Sequence, residues 1–380
     1  MDIFKWLAVA CSMMFSLLAH GEPGIDDKNI LIGMSAPFSG PIAGYGKQMQ
    51  YAIQASFEQI NQAGGINGRK LQLLALDDAY DSSRTVSNTR RLIDEYKVFA
   101  LIGYYGSNPT IDAMNQAFGP ARVPLIGTIS GADALREAFT INPSARYLFN
   151  IRASYADETE AIVRQLVSLG LKRIAVLYHN DSFGRSGLEG VGHALKQHNL
   201  SLSVSAAIDR QSPDIQAAVA KIAAEPVQAV ILIALHKPAT SFIQSMKKAG
   251  QYPMFVTLSP IGTEQFIADL GKDARGVVIS QVVPHLWNDT LPVVRDYRRL
   301  VGDDKASYHG LEAYLMARTL SEGLKRIGKE APTREKLIAA LETLNHFDLG
   351  GYRIDYGSKH RTGSRFVELT VVGPDGKILR

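Results

Sequence analysis

The sequence predicts an α/β protein made of two doubly wound lobes with parallel central sheets, on three observations. Apolar runs of strand length alternate with segments of helical spacing along almost the whole chain. The first of these units is a strand, a loop, a helix and a second strand, the connection that a parallel crossover requires. The strand candidates are also too many for one open sheet of ordinary size, so two sheets are expected.

The first unit runs from Ile30 to Asp78. Ile30, Leu31 and Ile32 form an apolar run that breaks into a Gly/Pro/Ser loop from Ser35 to Gly46, after which Met49, Ile53, Phe57 and Ile60 recur at the spacing of one helix face. Gly64 and Gly65 stop that helix, Asn67-Gly68 supplies a turn tolerant of positive φ, and Leu71 to Leu76 forms the next strand, ending in Asp77 and Asp78. Further strands are expected at Phe99–Ile102, Pro124–Gly127, Arg173–Tyr178, Ser201–Ala207, Ala229–Ala234, Met254–Thr257 and Gly276–Gln281. Helices are expected at Ser83–Tyr96, Asp157–Leu169, Ser186–Gln197, Asp214–Ala224, Ala239–Gly250 and Leu311–Ile327. Tyr147–Ser154 reads as a connector between lobes.

Open α/β sheets bind ligands at the carboxyl ends of their strands, which makes the Ser35–Gly46 loop the first candidate. A nucleotide does not fit it. A Walker loop keeps four residues between its first Gly and Gly-Lys, then Ser or Thr; Gly40 to Gly46 leaves five, and Lys47 is followed by Gln48. The dinucleotide fingerprint fails too, since Gly44 and Gly46 are followed by Met49 where its third Gly belongs. Asp77, Asp78 and Asp81 lack the alternating acids, central Gly and closing Glu of a calcium loop, and read as strand-end and turn caps. The histidines show no zinc spacing, so neither metal nor cofactor is expected. There is no Gly-x-Ser-x-Gly elbow and no His placed beside a nucleophile, which argues against an enzyme; an exported α/β hydrolase of unfamiliar type is the alternative from another class.

Composition sets the remaining bounds. The 380 residues are 46% hydrophobic and 21% charged, and a net charge of +4 on 41 basic and 37 acidic side chains is weak and mixed, which gives nucleic acid or a membrane surface no reason to bind. Residues 1–21 read as a cleavable signal peptide: Lys5, an apolar stretch from Trp6 to Leu18 too short to span a bilayer, then Ala19-His20-Gly21. Cleavage is expected after Gly21. The single cysteine, Cys11, lies inside this segment, so the rest of the chain forms no disulfide and depends on burial for its stability. Export with a large α/β fold points to a Gram-negative periplasm.

The loops after successive strands share small, hydroxyl and aromatic residues: Gly103-Tyr104-Tyr105-Gly106-Ser107, Thr128-Ile129-Ser130-Gly131 and His179-Asn180-Asp181-Ser182-Phe183-Gly184. Hydroxyls and free helix N–H groups suit a carboxylate, and flanking rings suit an apolar body. The competing structural reading is that Ser, Asp and Asn here only cap helices.

The segments APFSGPIAGYG, INQAGGINGRKLQLLALDDAYDSS, FALIGYYGS and LYHNDSFGRSGL resemble the periplasmic solute-binding proteins of the branched-chain amino-acid type that serve ABC transporters, in order and spacing from about Ile30 onward. The resemblance implies lobes of the periplasmic binding protein type I kind joined by a three-segment hinge. Lobe one is then residues 28–151 with 284–347, and lobe two residues 152–283 with 349–380. It further implies a monomeric receptor that closes on a small organic solute and hands it to a membrane permease, or, alternatively, to a membrane signalling protein. Ser107 matches the family's carboxylate-holding Ser; Tyr45, Phe183 and His236 match cleft-lining aromatic positions, His236 being a departure from Tyr. Two further departures bear on the ligand: Gly131 stands where the family has a Thr contacting the α-amino group, and Ser259 where it has the neutralising Glu. A buried ammonium without an acid is penalised, so a ligand lacking one is expected unless Asp157 or a hydroxyl shifted to Ser130 replaces those contacts.

Overall fold

The computed structural model describes residues 22–380; the expected signal peptide and Cys11 lie outside them. The chain begins with β1 (Asn29–Ala36), α1 (Ala43–Gln62), β2 (Lys70–Asp77), α2 (Ser82–Asp94), β3 (Ala100–Tyr105), α3 (Ser107–Ala113), β4 (Leu125–Ile129) and β5 (Leu148–Phe149). These strands form one parallel sheet in the order β2-β1-β3-β4-β5. The face of α1 is as the spacing required, with Met49, Ile53 and Phe57 buried. The turn behind it takes positive φ at Asn67 (49°) and Gly68 (84°).

The chain then runs through α4 (Tyr155–Ser168), β6 (Ile174–His179), α5 (Ser182–Gln197), β7 (Val204–Ile208), α6 (Ile215–Ala223), β8 (Ala229–Ile233), α7 (His236–Lys248), β9 (Met254–Thr257), α8 (Thr263–Leu270) and β10 (Val278–Gln281). Next come α9 (Pro292–Val301), α10 (Tyr308–Arg326), which packs along α1 and reaches β3 and β4, and α11 (Arg334–Glu342). A two-stranded ribbon, β11 (Phe347–Asp348) with β12 (Arg353–Ile354), precedes β13 (Glu368–Val372) and β14 (Ile378–Leu379). The second sheet has the order β14-β13-β10-β9-β8-β6-β7. Its central strands β6 and β8 carry unbroken apolar runs because both faces are covered: Ile174, Val176 and Ile231 enter one core, Ala175, Leu177 and Val230 the other.

Helices α3, α8, α9 and α11 and the β11–β12 ribbon come in addition to the elements that the sequence indicates, and other features depart from it. Leu148–Phe149, inside the expected connector, pairs with β4 as a fifth strand. The second sheet is not wholly parallel, because β13 and β14 add to it antiparallel beyond β10. Helices α4, α5, α7 and α10 start two to four residues earlier than their apolar spacing indicates: Asp181 accepts a hydrogen bond from the Gly184 N–H and caps α5 at Ser182, Ser154 and Ser307 cap α4 and α10, and α7 begins at His236.

Candidate functional site

The strand ends of both sheets converge on one buried polar and aromatic cluster. Ser107 opens α3 and Ser130 follows β4; their hydroxyls lie 2.8 Å apart, and Ser107 Oγ is 3.4 Å from the Tyr155 hydroxyl at the start of α4. The backbone lets them meet. Tyr155 N–H donates to the Gly131 carbonyl (2.8 Å), and a Cβ built on Gly131 would lie 2.5 Å from the Tyr155 ring, so a side chain here would force the ring away. Phe183, in the first turn of α5, packs on Tyr155 with ring centroids 5.1 Å apart. Ser107, Ser130, Gly131 and Phe183 are therefore brought together.

Tyr45, in the first turn of α1, crosses to the other sheet's loops. Its hydroxyl lies 2.7 Å from the Ile261 carbonyl and 2.5 Å from His236 Nδ1. Tyr105 donates to the Pro260 carbonyl (3.1 Å), and His309 sits between both tyrosines, its centroid 4.9 Å from Tyr45 and 5.6 Å from Tyr105. His309 has neither ring nitrogen hydrogen-bonded; burial, then the charge of Arg152, pushes its pKa down to about 3 and keeps it neutral.

Ser259 goes elsewhere. Its N–H and hydroxyl donate to Glu158 (2.9 and 3.0 Å), and Arg152 bonds both Ser259 Oγ and Glu158 Oε1, the latter at 2.8 Å. Ser280 adds a hydrogen bond to Glu158. Glu312 of α10 approaches Arg152 Nη1 at 3.6 Å, and all three charged side chains are at most 2% exposed. Burial opposes the Arg152 charge, but Glu312 and Glu158 outweigh it and raise its pKa; burial raises Glu312 to about 7, with Arg152 pulling against it. The carboxylate beside Ser259 is thus Glu158, already paired with a guanidinium. Asp157 does not replace it: its side chain closes a capping box with Ser154 and faces Arg365 at 3.9 Å.

Sequence reasoning missed Arg152, Tyr155, Glu158, His309 and Glu312. Arg152 stands alone in the apolar stretch YLFNIRAS, and Glu158 falls on the buried face of α4 with Tyr155 and Ile162. A charge at an apolar position was the available signal. The three acids after β2 serve the backbone: Asp77 accepts the Phe38, Ser39 and Ala79 N–H groups, Asp78 the Ser35 hydroxyl, and Asp81 caps α2. Among the described residues no group of three His, Cys, Asp or Glu could share a metal ion, and no helix is long and apolar enough to cross a membrane.

Comparison with known proteins agrees with this fold. A structure titled as a possible leucine/isoleucine/valine-binding protein from Rhodopirellula baltica is 32% identical, covering 94% of this chain and 97% of that one with a TM-score of 0.86. A substrate-binding periplasmic protein from Ralstonia solanacearum is 31% identical over 92% of this chain and 99% of its own, with a TM-score of 0.84. A curated "Amino acid binding protein" of Pseudomonas aeruginosa is 25% identical over 86% of this chain and 85% of its own. These are solute-binding proteins and not enzymes, and since the family model described as "Periplasmic binding protein" matches residues 29–377, the chain belongs to the periplasmic binding protein family.

Proposed function

We propose that this receptor binds a small organic acid between its lobes, closes on it, and delivers it to an ABC-transporter permease from the periplasm as a monomer. The observation that carries the reading is the buried trio of Ser107, Ser130 and Tyr155 hydroxyls, assembled from the ends of β3 and β4 in the first sheet and the first turn of α4, and flanked by Tyr45, Phe183 and His236. Three neutral hydroxyls in a buried, low-dielectric setting suit one carboxylate, and the surrounding rings suit an apolar body. Gly131 acts by letting Tyr155 approach, and Ser259 acts by tying Arg152 to Glu158. A ligand ammonium near Ser259 would meet the guanidinium together with the carboxylate, which favours acids without an amine. That preference qualifies the amino-acid names carried by the relatives.

Residues 28–151 with 284–347 make up lobe one and 152–283 with 349–380 lobe two in this reading. Ligand contacts present only when both lobes engage then drive closure, because a ligand held by one lobe alone shifts no equilibrium. A thermal-shift screen of amino acids, oxo acids and dicarboxylates tests the reading: ligand at a hundredfold over Kd adds about 2.7 kcal/mol to stability, a shift of roughly a few degrees. No stabilisation by any solute in these sets would overturn it.

A further inference from the structure

Between the same strand ends lies a cavity of about 480 Å³ walled from both lobes, by Ile42 and Tyr80 on one side and His179, Arg210, Leu235 and His236 on the other. Tyr80 joins it to the hydroxyl cluster. Its ring packs where a Cβ on Gly106, the residue before Ser107, would come within 2.3 Å, and its centroid is 5.5 Å from that of Tyr105. The Arg210 guanidinium lies over the Tyr80 ring at 4.6 Å.

Two hydrogen-bond donors on this wall lack a well-formed acceptor. His179 is 1% exposed, and its Nε2 accepts the Leu235 N–H at 3.2 Å. Burial and the neighbouring Arg210 charge hold its pKa near 4, so the ring is neutral and its one proton sits on Nδ1. That Nδ1–H makes no hydrogen bond of good geometry; the Ile208 carbonyl is its weak backbone neighbour and already accepts the Asn180 N–H at 2.9 Å. Arg210 is anchored to Asp181 through Nε and Nη2, which leaves Nη1 buried and unpaired. The acids at hand are spent, Asp181 on Arg210 and Asp81 on the N-terminus of α2, while Lys237 adds a second cation to the wall. An unpaired buried donor is costly, so a wall carrying two of them calls for an acceptor from outside the chain.

We propose that this cavity is a second subsite for an anionic end of the ligand. The solute is then a dicarboxylic acid whose first carboxylate meets Ser107, Ser130 and Tyr155 and whose second, on an apolar spacer passing Tyr80, takes the donors of His179 and Arg210. This rests on the receptor reading above and names its substrate class. The test is calorimetry on the purified protein with α,ω-dicarboxylates of four to eight carbons, each against the monocarboxylate of equal length, repeated with Arg210→Gln and Arg210→Lys. At least one dicarboxylate is expected to bind tenfold or more tighter than its monocarboxylate. Arg210→Gln should erase that ratio without changing monocarboxylate affinity, Arg210→Lys should keep part of it, and melting curves without ligand verify that the variants fold. Equal binding of the paired acids, or a ratio that survives Arg210→Gln, overturns the subsite and leaves the receptor reading standing. Binding of neither series overturns the dicarboxylate class and the subsite; a hit among the other solutes of the screen then still supports a receptor.

Discussion

Replacing Ser107 by alanine removes one hydroxyl from a buried trio and leaves the fold otherwise alone. Ser107 Oγ is 2.8 Å from Ser130 Oγ and 3.4 Å from the Tyr155 hydroxyl, so the variant forgoes one good and one weak neutral hydrogen bond, about 1 kcal/mol of stability. Ser130 keeps the Ala132 N–H as a partner at 3.3 Å, which limits the loss. With a carboxylate bound, the same hydroxyl donates to a charged acceptor, worth roughly 1.5 to 3 kcal/mol, so Ser107→Ala should weaken binding by about ten- to a hundredfold. Calorimetric titration of wild type and variant, beside their denaturant unfolding curves, separates the two effects. Unchanged affinity with unchanged stability would refute the reasoning and reduce Ser107 to the first residue of α3.

Gly131→Ala should cost about 1 to 3 kcal/mol of stability and lower affinity, because its Cβ would sit 2.6 Å from the Tyr155 backbone nitrogen as well as against the ring; an unaltered melting temperature would contradict this. Glu312 holds its proton up to about pH 7 when folded and only to its ordinary value of 4.5 when unfolded, so its share of stability is full at low pH and is lost as pH rises through that window. Glu312→Gln should therefore gain on wild type by on the order of 1–3 kcal/mol between pH 4.5 and 7.5, measured as melting temperatures; Asp78, raised by burial to about 6, affects both proteins alike, and a pH-independent difference would refute the assignment. Mass spectrometry of protein recovered from the periplasm should find a chain beginning at Glu22 without lipid, and an acylated Cys11 would contradict the expected processing.

The lobes were legible because burial on both sheet faces turns strands such as Ala229–Ile233 into unbroken apolar runs, and because Met49, Ile53 and Phe57 mark one covered side of a helix. Helix starts were harder to read. Ser107, Phe183 and His236 lie in first turns whose composition resembles loop, since the orphan N–H groups there are met by polar residues such as Asp181. The antiparallel pair is a short apolar run, β13, turned back into β14 by Gly373-Pro374-Asp375-Gly376, a turn signal that strand counting passed over. The ion cluster was least legible. Arg152, Glu158 and Glu312 sit in a connector and two separate helices, and helical spacing reports which face of a helix is covered, not which charge waits opposite. On α10 even that face is obscured, since the helix is buried almost all round from Tyr308 to Leu324.

The central claim is that the cleft takes a carboxylate without an ammonium, because Glu158, the acid beside Ser259, is already committed to Arg152. Calorimetry comparing leucine with its 2-oxo acid tests this most directly, since the pair shares carboxylate and side chain and differs only at the amine. The oxo acid should bind more tightly, because an ammonium placed between guanidinium and carboxylate loses several kcal/mol of hydration without a free counter-charge. Micromolar binding of leucine with no binding of the oxo acid would contradict it.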